Sequence, residues 1–299
     1  LFGFVFIKQK IESRNVMDAL TVKLCHLQHC RGIYLKHLMK LLAYEPNLED
    51  LYQWPPTLLK SILQFSSKQF DLFYHDFQHI NIHSILHLYR KHQIGIISIN
   101  DHEYPYLLKH TYQPPLILYT QGNIALLKKR SLAIVGSRKA NGYAEKAIEQ
   151  LVPQLIAHNI VITSGLAKGV DSMAHRAAIK FNGRTIAVLG SGLFHIYPRE
   201  HLQLYERLKQ NDLIISEYPP YMRAQKWFFP ERNRIISGIS QGVLIVQAEK
   251  KSGSLITADY ALQEGREVFC IPGALFDPLS EGTLRLIQEG AKLVLTSKD

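Results

Sequence analysis

The chain has 299 residues, 46% of them hydrophobic, and a formal net charge of +10. This is enough apolar material for a sizeable core, excludes a disordered or collagen-like chain, and suits one large domain or two ordinary ones. The basic excess divides evenly on either side of residue 130, so no single tail carries it, and a spread positive charge points to an anionic partner such as nucleic acid.

Three cysteines, Cys25, Cys30 and Cys270, are too few for a disulfide framework and fit a reducing compartment. The opening LFGFVFIK is apolar, but no basic region precedes it and no small-residue cleavage site follows. No run reaches the length of a membrane span. The expectation is a cytoplasmic protein without a membrane partner, with Met17 as the native start and residues 1–16 as an extension.

Residues 18 to 92 read as helical. IYLKHLMKLLAYE places Ile33, Leu35, Leu38, Leu41 and Leu42 at mostly helical spacing, and PPTLLKSILQF opens on a proline pair, as helices often do. Ten of the 14 histidines lie between His26 and His110. His75, His79, His83 and His87 recur every four residues, and Cys25-His26 with His29-Cys30 has ligand-like spacing. An acidic partner and a coherent site are missing, so no metal is expected and a solvated or interfacial face accounts for them better.

From residue 93 the texture changes. IGIISI and LILYTQG read as strands around a proline-punctuated loop. After residue 130, LAIVGS, IVITSG, TIAVLGSG, LIISEY, GVLIVQA, EVFCIPG and KLVLTS alternate with helical stretches such as YAEKAIEQLVPQLIAH, where Pro153 predicts a kink. Continuous apolar strands alternating with amphipathic helices imply an α/β fold with a parallel sheet covered on both faces.

Ligands of such sheets bind beyond the carboxyl ends of the strands. Those ends read Gly136-Ser137-Arg138, Ser164-Gly165 with Lys168, Gly190-Ser191-Gly192, Ser216-Glu217, Ser252-Gly253-Ser254 and Pro272-Gly273. Small residues let backbone N–H groups approach an anion, and a following helix N-terminus adds positive potential. Gly190-Ser191-Gly192 is no dinucleotide motif, because His195 stands where the third glycine belongs and Pro198 disfavours helix at Tyr197. In WFFPERNRIISG, aromatics beside Arg232, Asn233 and Arg234 suit base stacking with phosphate contact, the alternative being an internal ion pair for Arg234. No Ser–His–Asp set can be assembled.

Taken in order, AIVGSRKANGYAEKA, SGLAKGVDSMAHRAAI, TIAVLGSGLFHIYPREHLQL, LIISEYPP, FFPERNRIISGISQGVLIVQAEKKSGSLITADYALQEGREVFCIPG and SEGTLRLIQEGAKLV resemble the DNA-processing protein A (Smf) family over residues 93–299. The resemblance implies an extended Rossmann-like domain preceded by a small helical domain, residues 1–92. It implies a homodimer that binds single-stranded DNA, protects incoming DNA and loads the RecA recombinase during natural transformation, with neither enzymatic activity nor a cofactor. By position, the family's Gly-Ser/Thr-Arg motif falls on Gly136, Ser137 and Arg138, its second glycine-rich loop on Ser164, Gly165 and Lys168, and its Arg-Asn-Arg motif on Arg232, Asn233 and Arg234. Gly192 belongs to the loop that lines DNA in the family, with Phe194 and His195 as the candidates to stack a base, and Ser252, Gly253 and Ser254 complete the expected interface. The winged-helix-like domain that many members carry at the C-terminus is not expected here.

A phosphoribohydrolase-like enzyme of the cytokinin-activating type is the alternative. Its Pro-Gly-Gly-x-Gly-Thr loop corresponds to Lys251-Ser252-Gly253-Ser254 followed by Thr257, where glycines and the following glutamate are lost. A nicotinamide or flavin oxidoreductase is less compatible still, given the broken glycine pattern.

Overall fold

The computed structural model describes residues 17–299; the expectation for residues 1–16 lies outside them. The chain divides into two compact units, the first ending at Leu88 and the second running from Tyr89 to Asp299.

The helices of the N-terminal region are α1 (Ala19–His29), α2 (Leu35–Tyr44), α3 (Pro56–Leu63), α4 (Ser67–His79) and α5 (Ile82–Lys91). Local chemistry sets their ends. Asp18 caps α1 by accepting the Thr21 N–H at 2.7 Å, Pro56 opens α3, and Ser66 with Gln69 forms a capping box on α4. Leu24, Leu27, Leu38, Leu41, Leu59 and Phe73 bury the apolar stripes. The helix break at Ile80–Asn81 divides the four-residue histidine series, leaving His75 and His79 on α4 and His83 and His87 on α5. His26 stacks on Phe77 at 5.3 Å and its Nδ1 meets the Tyr52 hydroxyl at 3.0 Å. The Cys25–Cys30 cluster is therefore core, and among the described residues no group of His, Cys, Asp and Glu could hold a metal ion.

The second unit is built on one nine-stranded sheet. Its elements are β1 (Gly95–Ser98), α6 (Tyr106–Lys109), β2 (Ile117–Gly122), β3 (Ser131–Val135), α7 (Gly142–Ala157), β4 (Val161–Ser164), α8 (Val170–Lys180), β5 (Thr185–Val188), α9 (Leu202–Asn211), β6 (Leu213–Ser216), α10 (Phe228–Gly238), β7 (Gly242–Ile245), α11 (Gly253–Gln263), β8 (Glu267–Cys270), α12 (Glu281–Gln288) and β9 (Lys292–Leu293). The spatial order is β1-β2-β6-β5-β4-β3-β7-β8-β9. Strands β3 to β9 are parallel, whereas β1 pairs with β2 and β2 with β6 in antiparallel fashion. The expected parallel sheet is therefore mixed at one edge. The connection between β1 and β2 carries only the single turn α6, which does not make the crossover that a parallel pair needs.

Alternation within a strand assigns the two faces. On β3, Ile134 packs with Ile148 and Val152 of α7 and Ala174 and Ala178 of α8. Its neighbours Ala133 and Val135 pack with Ile235 and Ile236 of α10, Ala258 of α11 and Leu286 of α12. Helices thus cover both faces, as the sequence predicts. The order runs β3 to β6 in one direction and β7 to β9 in the other, so a topological switch point lies between β3 and β7, where Rossmann-like sheets open a crevice at their carboxyl edge.

Candidate nucleic-acid interface at the carboxyl edge

An open cleft of about 600 Å³ lies at that switch point, adjoined by a smaller cavity of about 120 Å³ on the β5 side. Arg138, Ala167, Tyr197, Phe229 and Arg232 line both.

Close backbone packing positions Arg138. A Cβ on Gly136 would stand 2.6 Å from the Val170 side chain and 2.7 Å from the Gln247 carbonyl, so only glycine lets β3, β7 and α8 converge here. Ser137 is buried, donates its N–H to Gln247 O at 2.7 Å and accepts the Lys139 N–H on its hydroxyl at 3.0 Å. Gly169 takes φ +72° under the Ser137 carbonyl, and the Val170 N–H donates to that carbonyl at 3.2 Å. With the turn pinned on both sides, Arg138 projects outward. Its guanidinium lies 5.6 Å from the Phe229 ring centroid, within cation–π range, and among the described residues it forms no ion pair within 4.0 Å.

Arg232 is only 4% exposed. Its guanidinium donates to the Val188 carbonyl and its Nε to Asn233 Oδ1 at 3.1 Å. Asp171, the first-turn acid of α8, faces it across Gly165, where a Cβ would collide with both groups. Burial pushes the Asp171 carboxyl up from its ordinary value while Arg232 pulls it down. Burial likewise lowers the Arg232 guanidinium, and the nearby charge of Arg138 lowers it further. Two cations therefore border one cleft, with the Asp171 carboxylate, which also accepts the Ala167 N–H at 3.3 Å, beside Arg232.

On the opposite wall Ser252 caps α11, accepting the Ser254 N–H at 3.4 Å. Asn233 ties α10 to this turn by donating to Gly253 O at 3.2 Å, and Gly253 itself faces open space. The N-termini of α8 and α11 thus flank the cleft with positive potential. Lys226 and Lys251 are exposed lining residues. Lys168 and Lys139 are exposed but paired, with Glu200 at 2.6 Å and Glu249 at 3.0 Å.

Of the residues expected from sequence, Gly136, Arg138, Lys168, Arg232, Asn233, Ser252, Gly253 and Ser254 line the cleft. Others serve its frame. Ser164 is buried and donates to the Ile134 carbonyl at 2.6 Å, and Gly165 makes room for Asp171 and Arg232. Arg234 does not reach the cleft: successive helical residues turn by 100°, so Arg232 and Arg234 point to different sides of α10. Arg234 instead donates to both Glu217 oxygens at 2.6 and 2.5 Å, the internal ion pair that was its alternative. Phe194 is also outside the cleft, its ring 5.0 Å from His92 and 4.8 Å from Tyr221. The half-buried His195 is held in the turn, its carbonyl accepting the Ser191 hydroxyl at 2.6 Å. The cleft's aromatics are Tyr197, 54% exposed, and Phe229, their rings 5.4 Å apart.

Gly192 also serves the frame. It donates to Met222 O at 2.7 Å, and an added Cβ would strike the Pro219 and Pro220 carbonyls. Backbone cannot swing aside as a side chain can, so Gly192→Ala should lose roughly 1–3 kcal/mol of stability while its folded fraction binds ligand normally. Chemical denaturation with the wild-type midpoint would contradict this.

The model of the family "DNA recombination-mediator protein A" matches residues 95–299. The chain is 48% identical to the DNA processing protein DprA of Bacillus subtilis over 72% of this chain and 73% of the relative. It is 46% identical to the DprA of Streptococcus pneumoniae over 68% and 71%. The X-ray structure of the pneumococcal protein superposes with a TM-score of 0.82 at 36% identity, covering 94% of this chain and 97% of that one. A structure of DNA processing protein A from Helicobacter pylori, described by its single-stranded DNA binding mode, superposes with a TM-score of 0.63 at 31% identity over 69% and 93%. Among the described residues no helix is long and apolar enough to cross a membrane. With the switch-point sheet, the ordered loop motifs and these similarities together, the chain belongs to the DNA processing protein A (DprA/Smf) family.

Proposed function

We propose that this protein binds single-stranded DNA along the carboxyl edge of its sheet, protects incoming strands and loads the RecA recombinase on them, acting as a cytoplasmic homodimer without enzymatic activity or a cofactor. In this reading residues 93–299 form the DNA-binding domain and residues 1–92 a helical accessory domain. The Helicobacter pylori relative, named for its single-stranded DNA binding, supports the ligand class. Protection, RecA loading and dimerisation rest on family membership.

One observation carries the site. Arg138 and Arg232 face the same cleft, the charge of Arg138 disfavouring that of buried Arg232, beside the rings of Tyr197 and Phe229. A phosphate between the guanidiniums relieves that repulsion, and a base on the tyrosine supplies stacking that does not depend on sequence. Ser137, Ser164, Gly165, Gly192 and the Phe194–His195 turn hold the loops that form this surface.

A mobility shift with single- and double-stranded oligonucleotides across a salt series tests the reading. Single strands should be preferred, with little dependence on sequence. Arg138→Ala should weaken their binding by roughly 1–3 kcal/mol and lower the salt slope by about 0.7, the value of one lost phosphate contact. Arg138→Lys should recover only part, because an ammonium lacks the paired donors. Equal affinity for duplex and single strand, or a folded Arg138→Ala protein that binds as wild type, would sink it.

A further inference from the structure

The opposite, amino-terminal edge of the sheet carries another concavity, of about 380 Å³, which the DNA-binding reading does not use. Topology creates it. Strand β3 begins at Ser131 and β7 at Gly242, so Lys128-Lys129-Arg130 and Gln241, which precede them, gather at one edge with Tyr106 and Leu107 of α6. The five residues of β3, at about 3.3 Å each, set the two ends of the strand, and with them Arg130 and Arg138, roughly 16 Å apart. This is a separate surface, not an annex of the cleft.

Its chemistry is cationic and aromatic. Lys128, Lys129 and Arg130 are consecutive and exposed. Lys128 is paired with Glu103 at 2.8 Å, and Glu103 also meets His102 at 2.8 Å. Among the described residues Lys129 and Arg130 form no ion pair within 4.0 Å. Arg266, just ahead of β8, donates to the Leu107 carbonyl at 3.2 Å, and its Nε is buried without a hydrogen-bond partner. Of the carboxylates nearby, besides Glu103, Asp101 accepts the Ser98 N–H at 2.6 Å and Glu264 the Tyr112 N–H at 2.7 Å, while the exposed Glu267, opposite Gly242 in the β7–β8 ladder, adds one negative charge to this edge. Tyr106 is 75% exposed, with its ring 4.4 Å from that of His110.

Unpaired cations beside a solvent-facing ring match the alternation of phosphate and base in a single strand. The volume lies in the range of small-ligand sites and admits one nucleoside. We propose that this amino-edge surface binds a second segment of single-stranded nucleic acid, with a base on Tyr106 and phosphates on Lys129 and Arg130. The proposal rests on the reading of the protein as a single-stranded DNA binder.

The test compares the full-length wild type, Arg138→Ala, and a triple variant, Tyr106→Ala with Lys129→Ala and Arg130→Ala, on short and long strands. An oligonucleotide of about 6 nucleotides should bind the triple variant as it binds wild type, since the cleft alone accommodates it. One of about 40 nucleotides should bind the triple variant roughly tenfold more weakly, with the salt slope reduced by about 1.4 for two lost phosphate contacts. Photocrosslinking of a bromouracil-substituted long strand to the wild type, mapped by mass spectrometry, should label the peptide containing Tyr106; this readout needs no variant to fold. Long-strand binding unchanged in a folded triple variant, or crosslinks confined to the carboxyl edge, overturns the second surface and leaves the first intact. A triple variant that loses only binding to anionic vesicles or to an acidic protein also overturns it. An effect of the triple variant without one of Arg138→Ala would instead overturn the carboxyl-edge reading and keep this one.

Discussion

Asp171→Asn and Arg232→Met should each cost about 3 kcal/mol of stability, yet move DNA affinity in opposite directions. The two charges face each other under the cleft floor, and removing either leaves the other buried with too little compensation. Methionine keeps most of the arginine volume, so the loss in Arg232→Met reports charge and hydrogen bonding rather than a cavity. Asp171 then responds by holding its proton more tightly, extending the upward shift that burial already imposes. Binding separates the two. If, as proposed, a phosphate sits between the two guanidiniums, Arg232→Met should lose roughly 1.5–3 kcal/mol of affinity. The Asp171 carboxylate lines the same cleft and repels a phosphate, so Asp171→Asn should bind single strands more tightly, by about 1 kcal/mol. Denaturation curves together with fluorescence titration of a labelled oligonucleotide measure both quantities. If Asp171→Asn weakens binding as much as Arg232→Met, the pair is a structural clamp and the cleft is not the phosphate site.

The distribution of these roles marks how far the sequence could be read. The apolar strands were legible because β3 to β7 lie buried between helices, so each is a short, almost wholly hydrophobic run. Arg138 was legible because it follows such a run and a two-residue turn. The antiparallel edge was not, since nothing in IGIISI or LILYTQG distinguishes a parallel from an antiparallel partner. In the Arg-Asn-Arg motif written order hides helical rotation: Arg232 reaches the cleft and Arg234 the Glu217 carboxylate. The glycines divided in the same way. A glycine facing solvent, such as Gly253, and one wedged against carbonyls, such as Gly192, look alike in sequence, because only the tertiary neighbours differ. The exposure of Tyr197 was hidden for the same reason: Phe194 packs against His92 and Tyr221, partners remote in sequence that withdraw it from the cleft that Tyr197 lines.

Acidification should loosen this same site through His175. The ring is fully buried; its Nε2–H donates to the Gly165 carbonyl at 2.5 Å, and Nδ1 lies 2.6 Å from the Thr185 hydroxyl. It therefore fixes the loop between β4 and α8 that carries Gly165, Lys168 and Gly169. Burial, chiefly, lowers its pKa from 6.5 to about 4, so between those values the unfolded chain binds a proton that the folded protein refuses. Its contribution to stability is complete above about pH 6.5 and is lost as pH falls toward 4, by about 3 kcal/mol at 1.36 kcal/mol per unit. His26 and His37 of the first unit shift in the same direction, also to about 4. Asp171, Asp212 and Glu231 are raised by burial; they favour the folded state as they take up protons and offset part of the loss. Comparing wild type with His175→Gln isolates the one ring, because glutamine can still donate to the Gly165 carbonyl but cannot titrate. At pH 7 the variant should be the less stable protein. By pH 5 the gap should narrow by about 2 kcal/mol, read from urea denaturation of the full chain at both values, with single-strand affinity following the same trend. Parallel loss of stability in the two proteins would mean that His175 takes up its proton at the same pH in the folded and unfolded chains, and that burial does not keep the ring neutral.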